Sequence, residues 1–258
     1  MTPSNVAAAS HEAALKSHLS PRDLALALAV VAVWGYTFVP IKVALVEVPP
    51  FALAAVRFFC AAVPMVFFVR RPTMPWRNVA AYGLTIGVFQ FGLMFLGMKL
   101  GMPAGLSSIV MQVQVFFTMG LAVAVAGDHG ADMFALVVWS SLVPPLPLAA
   151  LSFLFEGGTA AVHAVASMSA LAWACVAVMA YGATLFGFGT WNALLHRYPT
   201  ALISPFGLLI PVTGLASGAL FLGETLAPVQ AVGAVLVFAG LAVNVYGLRI
   251  RAWLARVR

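Results

Sequence analysis

Long apolar segments alternate with short polar connections along almost the whole chain. A helix needs about 20 predominantly apolar residues to cross the hydrocarbon core of a bilayer. Segments of that order cover residues 24–45, 51–69, 79–98, 103–126, 133–155, 168–195, 200–222 and 226–246. The pattern predicts an all-α integral membrane protein with eight transmembrane helices.

The two ends of the chain are polar. Ser20, Pro21 and Asp23 form a capping sequence, which predicts that the first helix begins at residue 21. We therefore expect a polar cytoplasmic tail at 1–20, a transmembrane domain at 21–247 and a basic cytoplasmic tail at 248–258.

Composition and charge place the protein in a membrane. Charged residues make up 8% of the chain, whereas a soluble domain carries about 25%, so a soluble fold is excluded. The net charge of +6 comes from short basic clusters between apolar segments, and such clusters stay on the cytoplasmic side during insertion. We expect a multi-pass protein of the bacterial inner membrane with both termini in the cytoplasm, and no binding to nucleic acid.

Two pairs of apolar segments share sequence motifs. Segment 51–69 resembles segment 133–155, and segment 103–126 resembles segment 200–222. The matching positions are Phe51–Leu53 with Phe134–Leu136, Pro64 with Pro147, Pro103 with Pro199, Ser108 with Ser204, and Gly127-Asp128 with Gly223-Glu224. Short matches also arise by chance in alanine-rich helices. We predict two inverted repeats, a first half at 21–128 and a second half at 131–247, each missing one helix of a five-helix unit.

Polar side chains inside the apolar segments are candidates for substrate binding, because a charge at the bilayer centre costs on the order of 2.5–3.5 kcal/mol on insertion scales. Arg57 could bind a substrate carboxylate bidentately, reach the membrane surface or cap a carbonyl. Gln112 and Gln114 could bind a carboxylate or an amine, or hold helices together. Gln90 is a further pocket candidate.

Two aromatic residues and two carboxylates are also candidates. Trp34 and Tyr36 could form an aromatic wall of the pocket, or pack against lipid and neighbouring helices. Glu224 and Asp128 could couple transport to protons, or serve as turn or ion-pair residues. The two cysteines lie singly in apolar runs, so we expect no disulfide, no metal site and no cofactor.

Several motifs resemble those of one transporter family. They are Trp34–Phe38 with Lys42, Pro49-Pro50 with Arg57-Phe58, Gly101–Ser108, Val138–Pro144, Leu209–Val212 and Gly223-Glu224. Together they resemble the EamA-type branch of the drug/metabolite transporter superfamily, and the likeness is greatest to exporters of O-acetylserine and cysteine. The resemblance implies ten helices and a central pocket partly lined by the sixth. The usual fifth and sixth helices do not appear after Asp128.

The resemblance implies a secondary transporter that exports small polar metabolites, amino acids or derivatives such as cysteine or O-acetylserine, across the plasma membrane by alternating access. Its partners would be a small-molecule substrate and the lipid bilayer. The alternative is a truncated member that is inactive in transport, or that works only as an oligomer such as a homodimer. An enzyme is not expected, because the chain has no HExxH, GxSxG or phosphate-binding loop motif.

Overall fold

The computed structural model describes residues 18–113 and 133–225, together with 227–228, 231–232, 234–236 and 239–240. Every element in these ranges is helical. We label them α1 (Pro21–Ala44), α2 (Pro50–Met65), α3 (Trp76–Lys99), α4 (Ala104–Val110), α5 (Phe134–Phe155), α6 (Thr159–Ala166), α7 (Ala170–Arg197), α8 (Thr200–Ile203) and α9 (Ser204–Leu222).

Several of the long helices change their winding part-way along. In α3 and α7 the central ten residues form π-helix, at Gly83–Gly92 and Val178–Gly187. In α5 the regular helix ends at Ser140 and resumes at Pro145, where prolines remove backbone donors. Helix α4 continues as a 3₁₀ turn, and α9 begins with one, at Met111–Val113 and Ser204–Leu208.

Five of these helices, α1, α3, α5, α7 and α9, are long and apolar enough to cross a membrane. Helix α2 is apolar but has 16 residues. The expectation of an all-helical integral membrane protein is confirmed in this coarser form. The fourth and eighth predicted segments lie largely outside the described residues, as does the tail at 248–258, so the count of eight helices stays a prediction.

One helix was not expected from the sequence. Helix α6 lies between the fifth and sixth apolar segments, where the sequence suggested only a connection. Gly157 and Gly158, with φ of 89° and 55°, turn the chain sharply before it. The side chain of Ala161 is buried in the main core, so this short helix covers the end of the bundle.

Helix α2 runs antiparallel to α5, and α4 runs antiparallel to α9. Capping hydrogen bonds show these directions, since in each pair a carboxylate that follows one helix binds the first amides of the other. Glu156 follows α5, and its carboxylate accepts hydrogen bonds from the amides of Phe51 at 2.7 Å and Ala52 at 3.1 Å. Glu224 follows α9 and accepts from the amides of Ala104 at 2.6 Å and Gly105 at 2.9 Å. Inverted repeats require these directions.

The ends of α1 and α7 are joined in the same way. Glu47 follows α1, and its carboxylate accepts hydrogen bonds from the amide and hydroxyl of Ser169, which caps α7. At the opposite ends, Arg197 forms an ion pair with Asp23 at 3.2 Å, and the Tyr198 hydroxyl donates to the same carboxylate at 2.6 Å. We call the end of the bundle that contains Glu47, Glu156 and Glu224 the carboxylate face, and the other end the Asp23 face.

Two lysines at the carboxylate face cap the C-termini of each other's helices. The Lys42 ammonium of α1 donates to the carbonyls of Met98 at 2.7 Å and Met102 at 3.0 Å, at the end of α3. The Lys99 ammonium of α3 donates to the carbonyl of Leu45, at the end of α1. A cation near the C-terminus of a helix also stabilises the helix dipole. Both charges therefore have structural roles.

The main core lies where α1, α2, α3 and α7 meet. Its largest fully buried members include Ile41, Leu53, Phe95, Met98 and Met179. Many large apolar side chains on the outside of the bundle are exposed, as expected for a surface that faces lipid instead of water. The buried core and the apolar exterior leave the few polar side chains between helices as the informative ones.

Candidate functional site

A small cavity lies between α2, α3, α5 and α7. Its volume is about 30 Å³, which is room for one or two water molecules. Both π-helical segments and the break in α5 border it. The residues that carry its chemistry are Arg57, Tyr82, Phe91, Ser140, Thr184 and Phe188.

Close packing of α3 against α5 shapes one wall of this cavity. A Cβ atom at Gly87 would overlap the ring of Pro144, so only glycine allows the two helices to approach this closely. In a π-helix the hydrogen bonds run from residue i to i−5, and such segments recur at functional sites. The side-chain hydroxyl of Thr184 likewise donates to a carbonyl five residues earlier, that of Met179, at 3.0 Å.

Arg57 is the charged residue of the cavity. Its side chain is 3% exposed. Its Nη2 donates to the Thr184 hydroxyl at 3.3 Å, and its Cζ lies 4.1 Å from the ring centre of Phe91 and 4.7 Å from that of Phe58. Its Nε and Nη1 have no hydrogen-bond partner among the described residues. Nε carries one N–H bond and Nη1 carries two, so three N–H bonds of this buried cation have no acceptor among the described residues.

Among the residues that the structure describes, no carboxylate forms an ion pair with Arg57. The acidic residues that the structure describes, Asp23, Glu47, Glu156 and Glu224, all lie at helix ends and bind groups there. None of the eight apolar segments contains Asp or Glu. A buried cation without a partner is costly, and a bidentate carboxylate is the group that a guanidinium binds best.

Neither of the two aromatic candidates is among the residues that line the cavity. The Trp34 indole Nε1 donates to the Ala183 carbonyl at 2.8 Å, and its ring packs 5.2 Å from that of Phe188. Trp34 thereby supports the π-helical segment of α7 that carries Thr184. The Tyr36 ring packs 5.3 Å from Phe221 near the end of α9. Their role in substrate binding stays a prediction.

The glutamine candidates bridge helices. The Gln90 amide contacts the Met111 sulfur at 3.5 Å. The Gln112 amide donates to the Gly207 carbonyl at 3.1 Å, within the 3₁₀ turn of α9. Gln114 lies outside the described residues, as does Asp128. Of the six residues that the sequence singled out as substrate ligands, Arg57 alone of those described lines the cavity.

Sequence reasoning missed Thr184 as the hydrogen-bond partner of Arg57. The signal available was a hydroxyl near the centre of the predominantly apolar segment at 168–195. In the predicted repeat, Ser140 is the position of the second half that corresponds to Arg57, and it lines the same cavity. The two matching positions thus meet, which neither segment reveals alone.

A larger depression of about 410 Å³ opens at the carboxylate face. Its walls are apolar, and its charged members, Lys99 and Glu156, already bind the ends of α1 and α2. Nearby, hydrogen bonds from the hydroxyl and then the amide of Ser169 lower the pKa of Glu47. In the part of the chain that the structure covers, no group of three His, Cys, Asp or Glu residues could hold a metal.

Comparison with known proteins identifies the family of this chain. The model of the EamA-like transporter family matches this chain twice, at residues 22–130 and 129–246. A probable amino-acid metabolite efflux pump of Salmonella typhimurium is 38% identical over 292 residues, covering 90% of this chain and 98% of that protein. The protein of the same description from Escherichia coli is 36% identical, with the same coverage.

The alignment with these relatives is longer than this chain, so both relatives contain residues with no counterpart here. An uncharacterized transporter, YoaV, of Bacillus subtilis is 26% identical over 99 residues, which is 36% of this chain and 34% of that protein. No solved structure matches the chain.

Proposed function

This chain belongs to the EamA-like transporter family, and we propose that it exports small amino-acid metabolites across the bacterial inner membrane by alternating access. The two relatives described as probable amino-acid metabolite efflux pumps support the substrate class. The apolar helices and the family make it a multi-pass membrane protein.

Arg57 carries the proposal. It lines the cavity, and its Nε and Nη1 have no hydrogen-bond partner among the described residues. Every amino-acid metabolite with a free carboxylate offers the matching acceptors. Thr184 holds the guanidinium from the side of α7. The described cavity fits water alone, so binding requires α3 or α5 to move away from α2, as alternating access demands.

The proposed architecture is eight helices in two inverted repeats, at 21–128 and 131–247. Three observations support it: the opposite directions of α2 and α5, those of α4 and α9, and the two π-helical segments. Each π segment has ten residues with glycine at its fifth and tenth positions, which are Gly87 and Gly92 in α3 and Gly182 and Gly187 in α7. The cavity lies between the repeats, where carriers of this kind bind substrate.

Liposome flux tests the function. Purified protein would be reconstituted into liposomes loaded with labelled cysteine or O-acetylserine, and efflux would be compared with protein-free liposomes. We expect substrate-dependent efflux, its loss in Arg57→Gln, and its retention in Arg71→Gln, which removes the same charge at an exposed position beyond α2. No flux from wild-type protein that is shown to be folded would refute the exporter assignment.

The residues that only the relatives contain favour a second possibility, that the chain works as a homodimer or not at all. Cross-linking in liposomes distinguishes the cases. Flux that rises with the square of the protein density would identify a working dimer that forms in the membrane, and proportional flux from protein that cross-links would identify a stable working dimer. Flux proportional to density from protein that does not cross-link would identify a working monomer. Proton coupling, through Glu224 or Asp128, is tested in the same assay by imposing a pH gradient.

Membrane orientation can be measured separately. Arg71 follows the end of α2 and Arg197 ends α7, and we propose that both lie in the cytoplasm with the two termini. Single cysteines at these positions in a cysteine-free background should react with an impermeant thiol reagent from the same side. Labelling from opposite sides would refute the inverted arrangement.

A further inference from the structure

We infer, on the basis of the proposed function, that the cavity selects amino-acid metabolites that carry a carboxylate but no ammonium group, such as amino acids acylated on nitrogen, over zwitterionic amino acids. The inference rests on the net charge of the occupied site. Arg57 brings one positive charge, and no acidic residue lies among the described residues that line the cavity.

Charge balance favours a monoanion. A carboxylate neutralises the guanidinium, so the occupied site is neutral and its burial costs least. A zwitterion brings an additional cation close to Arg57, and the site as a whole keeps a positive charge. Like charges at short range repel strongly in a medium of low dielectric constant.

The remaining groups of the cavity suit a neutral amide better than an ammonium ion. The rings of Phe58 and Phe91 already face the guanidinium. The hydroxyls of Ser140 and Ser141 donate to the Val137 carbonyl, and each keeps a lone pair that can accept one hydrogen bond. An acylated nitrogen has a single N–H to donate, whereas an ammonium group has three and a charge to compensate.

Two isomers test this inference directly. N-acetyl-L-serine and O-acetyl-L-serine contain the same atoms, but the first is a monoanion and the second a zwitterion at neutral pH. Binding would be measured as thermal stabilisation of the purified protein in detergent, in slightly acidic buffer where the acyl group does not migrate from oxygen to nitrogen. N-acetyl-L-serine methyl ester, which lacks the carboxylate, is the control ligand.

We expect N-acetyl-L-serine to bind about tenfold more tightly than its isomer, a difference of about 1.4 kcal/mol, and the methyl ester to give no stabilisation. Arg57→Lys should keep the preference, since the charge remains, and Arg57→Gln should abolish it. Should Arg57→Gln fail to fold, the comparison of isomers on wild-type and Arg71→Gln protein still decides the question.

The outcomes separate this inference from the proposed function. Equal or tighter binding of O-acetyl-L-serine, together with its Arg57-dependent efflux, would overturn the preference for monoanions and leave the exporter in place. Binding of neither isomer, with no efflux from folded protein, would overturn both.

Discussion

Replacing Glu224 with glutamine should destabilise the contact between α4 and α9. The chain leaves α9 through Gly223, whose φ of +65° is in the left-handed region. This turn places the Glu224 carboxylate over the first amides of α4, where it accepts two hydrogen bonds at 2.6 Å and 2.9 Å. A Cβ atom at Gly218 would lie 2.5 Å from Oε2, so the carboxylate is held tightly between the helices.

The magnitude follows from these contacts. Glutamine keeps one acceptor oxygen and turns an NH₂ group toward the second amide, so one charge-assisted hydrogen bond is lost, at about 1.5–3 kcal/mol. The favourable interaction of the charge with the N-terminus of α4, about 0.3–1 kcal/mol, is lost as well. Because Glu224 is half-buried and partly screened, we expect a total in the lower part of the summed range, about 2–3 kcal/mol.

Thermal unfolding in detergent checks this value. For a chain of this size the loss corresponds to a fall in Tm of about 3–10 °C. Thr225→Ala changes the neighbouring exposed residue and should shift stability by less than about 0.5 kcal/mol. If Glu224→Gln unfolds at the same temperature as Thr225→Ala, the carboxylate does not stabilise the start of α4 and the reasoning is refuted.

Three further predictions concern other helix contacts. Hydrogen bonds lower the pKa of Glu47, so the ionised carboxylate stabilises the folded protein above the ordinary glutamate pKa, and this stabilisation is lost as the pH falls through the pKa of the folded state. The difference in Tm between wild type and Glu47→Gln should therefore disappear in acid. A difference that does not change with pH would contradict this. Gly187→Ala should lower Tm, because the added Cβ atom would overlap the Trp34 indole. Gly182→Ala is the control and should be tolerated, because the nearest atom to its added Cβ lies at 3.6 Å. Equal Tm values for the two variants would show that the neighbouring side chain moves to relieve the overlap. Trp34→Phe should cost about 1–3 kcal/mol in unfolding experiments by leaving the Ala183 carbonyl without its donor, and an unchanged stability would mean that water replaces the indole.

The capping carboxylates show where sequence reasoning was limited. Glu224 was recognised as a residue at a helix end, with turn or coupling roles left open. Its actual partners, Ala104 and Gly105, are 120 and 119 residues away in the chain. Such long-range pairing leaves no periodic signal, because a single side chain at a loop satisfies amides at the start of another helix.

The sequence by itself determined the membrane class, the family and most of the helix positions. These properties depend on the length and composition of local segments, because the thickness and apolar interior of the bilayer determine which segments can cross it. The first helix begins at Pro21, as the capping residues Ser20 and Asp23 predicted. The sequence also selected Arg57 as unusual, because a charge in an apolar segment is costly wherever that segment lies.

Only the tertiary structure shows which groups the polar side chains contact. It shows Arg57 beside Thr184 of α7, among the residues that line the cavity. It also shows that Trp34 and Gln112 donate to carbonyls where α7 and α9 change their winding. A side chain becomes a ligand or a support according to which backbone groups neighbouring helices leave unpaired. That depends on helix packing across distant parts of the chain, which no local segment specifies.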